Sequence, residues 1–135
     1  MPSRKQVIDT ARQYLGTPYV HQGRTARGLD CIGLVIRVGH DLALSDFDID
    51  GYSRVPSGRM MVRLVAEVCE SIRPPQALPG DMIHLAFERQ PQHLALLTDK
   101  GMIHADSQRG VVEHALDAAW RGRIRGWYRL PGVTD

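Results

Sequence analysis

Cysteine is scarce in this chain, with two among 135 residues. Two thiols cannot build the disulfide framework on which small secreted domains depend, so the fold must rest on a hydrophobic core. Aromatic residues are also few, at 6%, and no apolar run approaches the roughly 20 residues needed to span a bilayer. The opening Met1-Pro2-Ser3-Arg4-Lys5-Gln6 is polar and leads into an amphipathic pattern, so the sequence reads as having no signal peptide and as being made in the cytoplasm. An excess of one charge is missing too. The formal net charge of +2 supplies no field for dedicated nucleic-acid binding. Arg121, Arg123, Arg125 and Arg129, interleaved with Trp120, Trp127 and Tyr128, read as a last strand with solvated arginines. There is no internal repeat, no low-complexity tract and no Cys-x-x-Cys pair.

What is present is ordinary globular composition, 43% hydrophobic and 24% charged, in a length that suits one domain over residues 1–135. Hydrophobic periodicity divides the chain in two. The first half is helical: Ser3 caps a helix to about Leu15, with Val7, Ile8, Ala11 and Leu15 inward and Gly16 at its end. A Pro- and Gly-rich loop follows, then a helix from Cys31 to near Leu44 and an irregular connection from Ser45 to Ser57, whose turn residues include Pro56. A third helix carries Cys69 and is closed by Arg73-Pro74-Pro75. From Leu78 the period shortens to alternation, which predicts strands at about Asp81–Glu88, His93–Thr98, Gly101–Ala105, Gly110–His114 and Arg123–Leu130, with a helical turn around Leu116–Arg121. Helices followed by a meander of short strands imply an α+β fold with an antiparallel sheet.

The two cysteines sit in different surroundings. Cys69 borders the apolar face marked by Met61, Leu64 or Val65, Val68 and Ile72 and reads as a small buried hydrophobe. Cys31, in Leu29-Asp30-Cys31-Ile32-Gly33-Leu34-Val35, falls where loop residues give way to helical spacing. A first-turn position exposes a thiol to unpaired N–H groups and the positive end of the helix dipole, which predicts a lowered pKa and a reactive thiolate. Asp30 reads as a cap for that helix through an unpaired N–H.

A nucleophilic thiol needs an imidazole base and a group to orient it. Of the six histidines, His40 lies too far along the Cys31 helix, His21 sits in a loop, and His84 and His114 read as ordinary strand residues. His93 and His104 flank Thr98-Asp99-Lys100-Gly101. If Asp99-Lys100 is a two-residue turn, residue 95 faces residue 104 and His93 becomes a diagonal neighbour of His104 on one sheet face; a three-residue loop would separate them.

Tyr14-Leu15-Gly16-Thr17-Pro18-Tyr19, Asp30-Cys31-Ile32-Gly33-Leu34-Val35, Leu78-Pro79-Gly80-Asp81, His93-Leu94-Ala95-Leu96-Leu97 and Met102-Ile103-His104-Ala105 together resemble the NlpC/P60 cysteine peptidases in order and spacing. His21-Gln22-Gly23, Gly110-Val111-Val112-Glu113 and Arg129-Leu130-Pro131-Gly132 add a likeness to the phage and prophage tail-assembly branch. The resemblance implies a papain-like core. In it Cys31 is the nucleophile, His93 the base, His104 the orienting third residue and Tyr19 a tyrosine that helps hold the oxyanion. It implies a peptidoglycan stem peptide as substrate, cut between D-glutamate and a diamino acid, with phage tail proteins as partners and the virion tail as a location. It calls for no metal and no cofactor. Ile32 departs from the serine that many wall-acting members carry directly after the cysteine to help recognise a substrate amine, whereas Asp30 keeps the matching carboxylate, which the resemblance implies as an amine-binding group on an equal footing with its cap role. Three other readings stand beside the peptidase: a tail-assembly component keeping the fold without catalysis, an amidase or acyltransferase using the same Cys–His pair, and a zinc site from Cys31, His93 and His104.

Overall fold

The computed structural model describes residues 1–54, 57–87 and 90–135. Glu88, which the alternating pattern assigns to a strand, and Pro56 lie outside the described residues. Helix α1 (Arg4–Arg12) begins with a reciprocal cap: Gln6 N–H donates to Ser3 Oγ, and Ser3 N–H donates to Gln6 Oε1. A two-stranded ribbon, β1 (Arg24–Thr25) and β2 (Gly28–Leu29), leads into α2 (Cys31–Asp41). Helix α3 (Gly58–Val68) starts from Ser57, whose side chain accepts from Met60 N–H. Then come β3 (Glu70–Ser71), a 3-10 turn at Pro74–Gln76, β4 (Met82–Phe87), β5 (Gln90–Thr98), β6 (Gly101–Asp106), β7 (Gly110–His114), the short helix α4 (Ala118–Arg121) and β8 (Ile124–Arg129). The last six strands form one antiparallel sheet in the order β3-β8-β4-β5-β6-β7. Helices packed on a C-terminal antiparallel sheet confirm the α+β, papain-like expectation.

The sheet buries both faces. Met82, Leu94, Leu96, Ile103, Ala105, Val111 and Tyr128 pack against Val7 and Ala11 of α1, Leu34 and Val38 of α2, and Met61 and Val65 of α3. Ile83, Leu85, Ala95, Leu97 and Met102 point the other way, toward Leu116, Trp120 and Trp127. Strand alternation supplies both sets, because neighbouring residues of one strand point to opposite faces. The Leu78-Pro79-Gly80-Asp81 motif clamps this arrangement at the start of β4. Asp81 is fully buried, accepts from Leu78 N–H and pairs with Arg4 of α1 and Arg129 of β8. Gly80 lies in the left-handed region at φ +98°, and a Cβ there would stand 2.6 Å from the Arg4 Cβ.

Three helices stop earlier than their periodicity suggests. Helix α1 gives way to a turn at Gln13 that ends with Gly16 donating to Val111 O, and α2 ends at Asp41. Helix α3 ends at Val68, and Cys69 is extended rather than helical. The residues that follow pair with β8, Glu70 opposite Arg129 and Ser71 opposite Tyr128, so sheet hydrogen bonds replace the helical ones the spacing implied. No helix among the described residues is long and apolar enough to cross a membrane.

Candidate active site

The start of α2 is built around Asp30. Its Oδ1 accepts from Gly33 N–H at 2.7 Å and from the Arg24 guanidinium at 3.3 Å, and its Oδ2 accepts from Gln22 N–H at 2.7 Å and Tyr52 O–H at 2.6 Å. A carboxylate only 2% exposed requires this degree of pairing. Asp30 therefore caps α2 and ties Gln22, Arg24 of β1 and Tyr52 to it. With both oxygens occupied, a substrate amine would have to displace a protein donor. Gly33 is required by close approach, since a Cβ there would fall 2.0 Å from Gly23 O. Gly33→Ala is expected to cost about 1–3 kcal/mol, read as a lower urea midpoint, and to shift the Cys31 turn.

Cys31 is the first residue of α2 and is 6% exposed. Burial pushes its thiol up to about 12; the N–H groups of Leu94, Ile32 and Cys31 itself pull the other way, and the Asp30 charge adds to the rise. The helix terminus does not outweigh desolvation, so the resting group is a neutral thiol and not the thiolate expected from its first-turn position. It points toward the Gln92 carbonyl oxygen, 4.0 Å away.

The register explains how the histidines gather. Thr98 pairs with Gly101 across the Asp99-Lys100 turn, and Leu96 pairs with Ile103, so the two-residue connection holds and His93 and His104 share a face. His93 also follows a β-bulge. Leu85 opposes His93 while Ala86 opposes Pro91, which leaves Gln92 as the extra residue. Such a bulge re-aims the neighbouring side chain. His93 thereby joins Cys31 on the wall of one pocket, with Tyr19, Asp30, Ile32 and Tyr52 around them. Burial draws the imidazole of His93 down to about 4, keeping it neutral near pH 7.

Behind His93 runs a line of imidazoles. His93 Nε2 lies 2.7 Å from His104 Nδ1, His104 Nε2 lies 2.9 Å from His114 Nε2, and His114 Nδ1 lies 2.9 Å from Ala115 O. His104 is 1% exposed, and burial lowers it to about 3, with His93 and His114 acting in the same direction. Phe87 packs against His93, and Trp120 against His104 and His114, at centroid distances of 5.1–5.6 Å. Four of the six ring nitrogens face one another, and among the described residues no three His, Cys, Asp or Glu side chains group as metal ligands.

Tyr19 lines the pocket, and its hydroxyl has no hydrogen-bond partner among the described residues. Burial, reinforced by Cys31 and Asp30, raises it to about 12, so it stays a donor. Arg54 is exposed at the rim and makes no ion pair among the described residues. His21 stands 3.9 Å from Asp30, and His40 bonds Phe47 O, both apart from the imidazole line.

The NlpC/P60 family model matches residues 16–129, most of the chain. The chain belongs to the NlpC/P60 family. It is similar to the probable endopeptidase NlpC of Escherichia coli strain K12, 29% identical over 112 residues, covering 81% of this chain and 66% of that protein. An NlpC/P60 family protein from Bacillus cereus shares the fold with a TM-score of 0.74 at 22% identity, over 96% of this chain and 41% of the other. RipD of Mycobacterium tuberculosis, described as a non-catalytic NlpC/p60 domain protein, aligns with a TM-score of 0.62 at 21% identity, over 93% and 95%. This NlpC/P60 fold brings Cys31, His93, Tyr19 and Asp30 to one pocket and sets His104 directly behind His93. Sequence reasoning missed His114, Gln92, Tyr52 and Arg24. For His114 a signal existed: pairing it with Met102 puts it on the same face as His104.

Proposed function

We propose that the chain is a cysteine endopeptidase that hydrolyses amide bonds in peptidoglycan stem peptides, of the D-glutamate–diamino acid type. The observation that carries this reading is the shared pocket of Cys31 and His93, with His104 bonded to the far side of the imidazole. His93 takes the thiol proton as Sγ attacks the scissile carbonyl carbon. Transfer and attack are coupled, because the thiol begins neutral. The oxyanion accepts from Tyr19 O–H and the Cys31 backbone N–H. His93 returns the proton to the leaving amine, and water, deprotonated by the same imidazole, hydrolyses the thioester. The pocket favours substrates recognised by something other than a free amine, since Ile32 offers no hydroxyl and Arg24 already neutralises Asp30. Arg54 supplies a cation suited to a stem-peptide carboxylate.

Purified protein incubated with defined muropeptides is expected to release stem-peptide fragments carrying a new amino terminus on the diamino acid, seen by mass spectrometry. No cleavage across tri-, tetra- and cross-linked stems would overturn the reading. The proposed tail association rests on the sequence likeness in His21–Gly23, Gly110–Glu113 and Arg129–Gly132.

A further inference from the structure

We propose that His114 is a positioning residue, which with the Ala115 carbonyl holds His104 and His93 in the tautomers that leave His93 Nδ1 free to receive the Cys31 proton. The inference deepens the peptidase reading and rests on it for its catalytic consequence.

A line of neutral imidazoles bonded nitrogen to nitrogen has two self-consistent proton patterns. In one, each ring donates outward, away from Cys31; in the other, each donates inward. The inward pattern puts a proton on His93 Nδ1 and removes the base. Nothing within the His93–His104 pair chooses between them, because either ring can donate across the 2.7 Å contact. His104 is almost fully buried and lies against Trp120, so solvent does not choose either. The Ala115 carbonyl does, because it can only accept. At 2.9 Å it requires a proton on His114 Nδ1, and neutral His114 then presents a bare Nε2. His104 must donate from Nε2 to meet it, which leaves His104 Nδ1 bare, and His93 must donate from Nε2 in turn. The nitrogen left for the thiol is His93 Nδ1. The same ordering helps after proton transfer, since the His93 imidazolium keeps an acceptor at His104 Nδ1.

Nitrogen-15 correlation spectra of the wild-type protein near pH 7.5 are expected to show His93 and His104 protonated at Nε2 and His114 at Nδ1. His114→Phe keeps a ring against Trp120 but offers no acceptor. It is expected to scramble the His93 and His104 tautomers, slow iodoacetamide alkylation of Cys31 but not of Cys69, and lower kcat on the order of 100-fold with little change in KM. His114→Gln, which can turn its amide oxygen to His104 Nε2 while its NH2 donates to the Ala115 carbonyl, is expected to restore most of the rate and the Nε2 pattern. A wild-type protein with His93 protonated at Nδ1 would overturn the proposal. So would a folded His114→Phe variant with unchanged tautomers and rate, or a Gln variant as impaired as Phe. Should His114→Phe fail to fold, the wild-type spectrum and the Gln variant still decide. The spectra and the alkylation need no peptide substrate, so failure of the peptidase reading would remain distinguishable.

Discussion

Cys31→Ala is expected to abolish peptide release, with kcat falling at least about 10⁴-fold, the scale on which removal of a covalent nucleophile registers. The loss should be complete because nothing nearby can substitute. Cys69, the other thiol, follows α3 and lines a separate apolar pocket with Val65, Met82 and Leu94, and burial raises its own pKa to about 11. The replacement removes one sulfur from a small buried site without disturbing the Asp30 cap, so the urea midpoint should move by no more than about 1 kcal/mol equivalent. Undiminished release in a folded Cys31→Ala protein would rule out the mechanism. Release absent from the wild type and the variant alike would favour a non-catalytic role for this fold.

Acid is expected to destabilise the protein steeply between about pH 6.5 and pH 4. Three imidazoles are held neutral by burial: His84 and His93 near 4, and His104 near 3. An unfolded chain takes up protons on these groups as the pH falls through the ordinary value of about 6.5, while the folded chain refuses them. Their contribution is therefore fully present above the unfolded value and is lost on acidification toward the folded one. His84 is the cleanest case. It is 1% exposed in β4, its ring lies 4.8 Å from that of Tyr128, and its Nε2 has no hydrogen-bond partner among the described residues. Its share is about 3 kcal/mol once the loss is complete. Urea titrations at stepped pH should show the fall, and His84→Met should flatten it by about that amount while leaving the midpoint near pH 7.5 almost unchanged. A wild-type midpoint constant from pH 7 to pH 4.5 would contradict burial of neutral imidazoles.

The parts of this architecture that follow from short-range periodicity were readable in the chain. The β7 bounds and the Asp99-Lys100 turn fall where alternation and turn chemistry put them, and that register alone joins His93 to His104. The parts that depend on tertiary competition were not. Cys69 sits at the end of an apolar helical stripe, yet edge pairing with β8 ends α3 before it. The bulge at Gln92 has no local signature, because it arises from a mismatch between two strands. Helix position predicts a low thiol pKa at Cys31, whereas burial, which only the packed fold reveals, raises it. Asp30 was legible as a cap, but its bonds to Gln22, Arg24 and Tyr52 join segments up to 22 residues apart.

The bulge residue also bears on how long the protein keeps its chemistry. Peroxides and disulfides attack thiolates, and a protonated thiol reacts with them slowly. Turned toward the Gln92 carbonyl and held neutral, the Cys31 sulfur is a poor target for oxidative damage while it waits. In the proposed mechanism it becomes vulnerable only in the instant His93 takes its proton, so the buried position beside the bulge would also preserve the nucleophile from one turnover to the next.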